Sequence, residues 1–552
     1  MSPRIVLLAG AAAAALATAQ PIHAAPLQVG SGNEAVIEPN VPHPNETPCT
    51  VPLVTDAQFT NFNNANYSFT PPAACPGPWA KVILKMKLSL NEGVQYDRTG
   101  LLFMNGVPLW FGTTAEPRAT LAPHWKFERD VTDYTALFET AQTGYLSIGN
   151  IVNSTYTGII TASATLEFYP PTSTDPAPVT ADVVLPLPGS GGAGILNNGT
   201  DTLATTMVFP TNILQAKLDL FLQGQSGDEF WYTCVPNSLT GVLFSCGNGA
   251  LREGEVSVDS MAAGVAPVYP WIFTGGIDPF LWQPIPGVQT FNFVPFQVDL
   301  SPFAGLLSNG LSHTISASVY GDNGYFQATG AIRLFLDHGT SAVTGGIVSD
   351  TLQAVPNVTT TPNITTVNGI TTGTVDTRDK RNFKIKGTVT GSAGTTVNEV
   401  DQTTSFKNKQ RFDITATKYT QNISQQTDIT VTSTSTTNGV ATTTTSSLQW
   451  PLSVDITEYI NNSGGGRETT TVNQQYIAAD NTEQAGLPLS DFNLSNAINS
   501  TDTLFFDNQG YITGNNNQSE SAAYQRTGTG YKCFKRNLAA ESNVLSEVQT
   551  GC

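Results

Sequence analysis

Acids are sparse in this chain, and two sites hold them where they could do chemistry. Asp228 and Glu229 stand side by side in SGDEFWYTC, directly before Phe230, Trp231 and Tyr232. An apolar wall raises the proton affinity of a carboxyl group, so Glu229 is a candidate acid that keeps its proton toward neutrality. Flat rings also suit the apolar faces of sugars, and carboxylates accept hydrogen bonds from hydroxyls. At the second site Asp97 lies between Tyr96 and Arg98, just ahead of the apolar run TGLLFM. An adjacent guanidinium favours the ionised form and predicts a lowered pKa for Asp97. One ionised and one protonated carboxyl are what a two-carboxylate hydrolase needs, and the same pairing serves cleavage of an O-glycosidic bond. Each site also has a bland reading: an edge-strand ion pair at Asp97–Arg98, and a strand end with Trp231 in the core and its acids solvated.

The elements that must position these groups read as β-structure. KVILKMKLSL (81–90), TASATLEFYP (161–170) and KLDLFLQG (217–224) alternate apolar and polar residues, the pattern of half-buried antiparallel strands. Helical periodicity is confined to short pieces such as VTDYTALF (131–138). After a leader over 1–25, three blocks follow: 26–170, 181–340 and a Thr/Ser/Asn-rich 345–552, with the Pro-rich connector PPTSTDPAPVT between the first two. DVTDYTALFET (130–140) has a counterpart in DLSPFAGLLSN (299–309), each followed by a strand-like run. One phrase used twice predicts two β-sandwiches of similar build. The third block keeps its alternation and little proline, so a third, mostly β domain is expected rather than a stalk. Asp97 and Glu229 then fall on different sandwiches, and a shared site would lie between them.

Composition narrows the partners. At 552 residues the chain is too long for one core. Only 12% of residues are charged and the net charge is −18, which repels nucleic acid. MSPRIVLLAGAAAAALATAQPIHAA reads as a secretory signal cleaved after Ala19 or near Ala25, so a secreted or periplasmic protein is expected. No later run is long and apolar enough to predict a membrane span. Six cysteines in a secreted chain favour disulfides, and sequence proximity pairs Cys49 with Cys75, Cys234 with Cys246 and Cys533 with Cys552, one of fifteen possible pairings. There is no C-x-x-C and the histidines do not cluster, which argues against zinc. GSGGAG (189–194) fits a dinucleotide-loop pattern, but no helix pattern follows it and it reads as a flexible loop. G-x-S-x-G and H-E-x-x-H are absent.

A longer set of phrases carries a resemblance. ACPGPWAKVIL (74–84), QYDRTGLLFMNGVPLWFGTTAEPR (95–118), IGNIVNSTYTG (148–158), SGDEFWY, LREGEVSVD (251–259) and AGVAPVYPWIFTGGIDPFLWQPI (263–285) run in an order that resembles the plant-type peptide N-glycosidase A family. That family is distantly similar to bacterial F-type enzymes, which implies two jelly-roll sandwiches with the site between them. The implied reaction is hydrolysis of the amide joining Asn to the proximal N-acetylglucosamine of glycopeptides and glycoproteins. It needs no metal or organic cofactor. The resemblance places Asp97 at the attacking water and Glu229 at the leaving nitrogen. Arg98, Asp228, Trp231 and Arg252 then become substrate-binding candidates, and Asn150 stands where the F-type enzymes carry an acid. A monomer is expected. The competing readings are an O-glycosidase and a carbohydrate-binding or adhesion protein without activity.

Overall fold

Alternation becomes strand wherever one side of the segment can be buried. In Lys81–Leu90, Val82, Leu84, Met86, Leu88 and Leu90 point inward while Lys81, Lys85 and Lys87 lean to solvent. The structure, a computed structural model, describes residues 30–31, 34–116, 120–461 and 463–552; the predicted leader over 1–25 lies outside them. Among the described residues the chain is overwhelmingly antiparallel β, and no helix is long and apolar enough to cross a membrane.

The first eight strands of the main fold run from Cys49–Phe59 to Ile160–Tyr169. Counted along the chain, they form two four-stranded sheets in the orders 1-8-3-6 and 2-7-4-5. The strands from Val183–Leu187 to Tyr325–Leu336 repeat both orders, with the short Gly194–Leu196 as an extra partner of the last strand. Two packed sheets with this winding are a jelly roll, so the chain contains two of them. The recurring phrase has the same place in each, between the sixth and seventh strands. It folds as short helices at Thr132–Phe138 and at Ser301–Phe303 with Ala304–Leu307. The first of these meets the second jelly roll, where Tyr134 donates to Asp219 Oδ2 at 3.0 Å and Arg333 bridges Asp133 and Asp219.

The Thr/Ser/Asn-rich block is one sheet of eleven strands from Thr344–Asp350 to Val544–Gly551, most of it a simple meander of strands about twenty residues long. Its covered face packs on the second jelly roll through amide side chains as well as apolar ones. Gln402 donates to Val265 O at 3.0 Å, Asn408 to Tyr232 O at 2.8 Å, Gln410 to Cys234 O at 2.8 Å, Gln421 to Thr233 O at 2.9 Å and Gln474 to Pro270 O at 2.7 Å. These amides give the second jelly roll's main-chain carbonyls hydrogen-bond partners across the seam. Polar composition here reflects a hydrogen-bonded seam rather than a solvated stalk. All three disulfides join the pairs expected from sequence proximity.

Candidate active site

Asp97 and Arg98 immediately precede the strand Thr99–Met104 of the first jelly roll. Glu229 follows the strand Ile213–Gln225 of the second, at the end of the tight turn Ser226–Asp228. Both lie beside the junction of the two jelly rolls, where Gln225 Nε2 donates to Thr99 Oγ1 at 3.1 Å. Asp97, Arg98 and Glu229 all line one cavity of about 1100 Å³. Glu116, at the loop after Val107–Thr113, joins them.

The loop carrying Gly275 presses backbone against this cluster. A Cβ at Gly275 would collide with both Asp97 Oδ1 and Glu116 Oε2, so the two carboxyls share one small volume. The Gly275 N–H donates to Asp97. Arg98 is held by Gln95, whose Oε1 accepts from Arg98 Nη2 at 2.6 Å and whose amide donates to Ile151 O and Gly158 O. Among the described residues, buried Arg98 Nε has no acceptor and buried Glu116 Oε2 has no donor.

Proton affinities differ across the cluster. Burial raises Asp97 to about 6, although Arg98 and two backbone N–H groups pull it down. The lowered pKa expected from the Asp97–Arg98 neighbourhood is therefore corrected: Arg98 turns to Gln95, and desolvation outweighs its charge. Burial and then the Asp97 charge raise Glu229 to about 8, the direction expected for an acid beside aromatic rings. Burial drives Glu116 well above the usual range, with the Asp97 charge adding to it.

The remaining expected binding residues do not reach the cavity. Asp228 is fully buried: it pairs with Arg252 Nε at 2.6 Å and accepts from the backbone of Asn323 and Gly324 at 2.7 and 2.6 Å. With those contacts made, neither Asp228 nor Arg252 faces a sugar; the pair anchors the turn that presents Glu229. Trp231 is core, its ring facing Phe406 of the third sheet. Asn150 is fully buried and donates to Phe59 O and Gly158 O at 2.8 and 3.1 Å. Its backbone carbonyl accepts from the Phe62 N–H at 2.8 Å. It braces the loop that sets Phe62, an exposed ring, on the cavity wall. Sequence reasoning missed Glu116, Gln95 and Gly275. Only the rarity of acids in this chain marked Glu116.

Residues 39–350 match the family model described as peptide N-acetyl-beta-D-glucosaminyl asparaginase amidase A. Over 302 residues the chain is 30% identical to the peptide-N4-(N-acetyl-beta-glucosaminyl)asparagine amidase A of Prunus dulcis, covering 51% of this chain and 52% of that protein. The chain thus spans about half the length of the curated relative it matches. Among solved structures it is similar to PNGF-II, at 13% identity and TM-score 0.37, covering 53% of this chain and 66% of that one. It is also similar to PNGase F, a glycosylasparaginase from Flavobacterium meningosepticum, at 13% identity and TM-score 0.34, covering 52% and 96%. Likeness this loose carries no argument about residues or activity.

Proposed function

The chain belongs to the peptide N-acetyl-β-D-glucosaminyl asparaginase amidase A family, and from that premise we propose that it is a secreted peptide N-glycosidase. It hydrolyses the amide between an Asn side chain and the proximal N-acetylglucosamine of N-glycopeptides and glycoproteins. The observation that carries the reading is the meeting of Asp97 and Glu229, from two jelly rolls, in one cavity with separated proton affinities.

Near neutrality Asp97 is the ionised member and Glu229 holds its proton. Asp97 takes a proton from water as the water oxygen attacks the Asn side-chain carbonyl carbon. Arg98, which lines the cavity, supplies positive charge near the oxygen on which negative charge develops. Glu229 gives its proton to the leaving nitrogen as the C–N bond breaks. The products are Asp in the peptide and a glycosylamine, which later loses ammonia. Glu116 stays protonated, which leaves Asp97 as the ionised member of that close pair. Holding water between fixed groups makes the attack effectively unimolecular. The three disulfides support secretion into an oxidising compartment.

The test is to incubate a purified glycopeptide with the protein and weigh both products. The expected result is loss of the whole glycan with Asp at the former Asn, slowed about 10²–10⁴-fold in Asp97→Asn. A sugar left on the peptide, or an Asp97→Asn variant as fast as the parent, overturns the reading.

A further inference from the structure

The cavity does not end at the two jelly rolls. Its far wall is the third sheet, whose cavity-lining residues, from Lys418 onward, lie beyond residue 350, the end of the family match. Cross-strand register builds a row there: Tyr419 opposes Glu458, Glu458 opposes Glu468, and Glu468 opposes Leu504. All four side chains line the cavity, and Phe506 extends the apolar end two residues along its strand.

Two carboxylates directly opposite one another are unfavourable in a sheet. Burial and the Glu458 charge lift Glu468 to about 7. Lys418, a cation on the same wall, is engaged by Asp413 at 2.6 Å. The wall is also preorganised toward the reacting groups. Tyr419 donates from its hydroxyl to Gln421 Oε1 at 2.8 Å, and Gln421 donates to Thr233 O, four residues after Glu229.

We propose that this row is a sugar subsite for the glycan beyond its first residue. It rests on the peptide N-glycosidase reading and assigns a substrate contact to the third sheet. Aromatic and aliphatic faces beside carboxyls match a polyhydroxylated ring, with apolar C–H on one side and donating hydroxyls at its edge. An extended peptide finds no such match. The wall is a sheet face whose backbone groups are paired in the ladder, so strand addition is closed to it.

The experiment uses the full chain and, as probe, the free pentasaccharide core of two N-acetylglucosamines and three mannoses, titrated by calorimetry. Tyr419→Ala and Phe506→Ala should each weaken binding about fivefold to tenfold, the scale of one aromatic contact. The isosteric Glu468→Gln should weaken it too, and it preserves the row if an alanine variant fails to fold. Thr434→Val, at the opposite end of the same strand as Tyr419 and outside the cavity, should change nothing. On a glycopeptide carrying this core, kcat/KM should fall in parallel. Unchanged pentasaccharide binding in all three wall variants overturns the subsite, and so does a loss of affinity confined to the unglycosylated peptide. If the wild type cleaves no glycopeptide yet the three variants still lose pentasaccharide affinity, the activity reading fails and the sugar subsite stands.

Discussion

Replacing Glu229 with Gln tests the site through two readouts that must move in opposite directions. In the folded protein Glu229 titrates near 8, against an ordinary value of 4.5, because burial penalises its charge. A raised carboxyl pKa means that the folded state binds more protons than the unfolded state between those values. Stability therefore falls as pH rises from about 4.5 to about 8 and levels off above that. Each tenfold gain in proton affinity is worth about 1.4 kcal/mol, which sets a ceiling of about 5 kcal/mol on the cost of ionised Glu229 at alkaline pH. Glu229 is only partly buried, and water reaching its carboxylate leaves a realised gain on the order of 1–2 kcal/mol, a rise of a few degrees in Tm. Glu229→Gln should thus raise Tm at pH 9 and leave it unchanged at pH 4. The same variant should lose about 10²–10⁴ in kcat/KM on an N-glycopeptide. The wild-type pH profile should be a bell with limbs near 6 and 8, from Asp97 and Glu229, and the variant should lose the alkaline limb. Glycan release followed by mass spectrometry gives the activity, and scanning calorimetry across pH gives the stability. A variant that keeps the alkaline limb, or whose Tm at pH 9 drops, would refute the assignment of Glu229 as a buried, proton-holding acid.

Other substitutions probe how the site is held. Gly275→Ala puts a methyl group against Asp97 and Glu116 and should abolish most activity with a smaller effect on Tm; wild-type kcat/KM would rule out the close approach. Gln421→Leu takes one of two side-chain donors from Thr233 O, which keeps Ser245 Oγ, and removes the amide that donates to buried Gln410 Oε1; it should cost about 1–3 kcal/mol of unfolding free energy, read by urea denaturation. Replacing both Cys234 and Cys246 by Ser frees a loop closed across a sequence separation of 12 beside Glu229. It should lower stability by about 2–4 kcal/mol and raise KM, measured by denaturation and steady-state kinetics.

Much of this protein was legible without coordinates, because its signals are local. Period-two alternation specifies a strand wherever one face can be buried, so 81–90 and 217–224 read correctly. The phrase at 130–140 and 299–309 marked one architecture used twice, since each copy fills the same joint between sixth and seventh strands. Cysteines close in sequence found each other because short loops close at low entropic cost. Asp97 and Glu229 were visible as rare acids beside an arginine and beside aromatic rings. What the sequence could not show depended on which way neighbouring side chains turn and on what covers them. Asp228 and Glu229 are adjacent, yet a tight turn buries one against Arg252 and aims the other into the cavity. Arg98 was expected to hold Asp97 ionised, but Gln95 claims the guanidinium and burial reverses the sign. Glu116 acquired its place only when the Gly275 loop closed over it. The Thr- and Asn-rich block looked like a separate domain and forms the far wall of the site, because long-range packing alone decides which surfaces face one another.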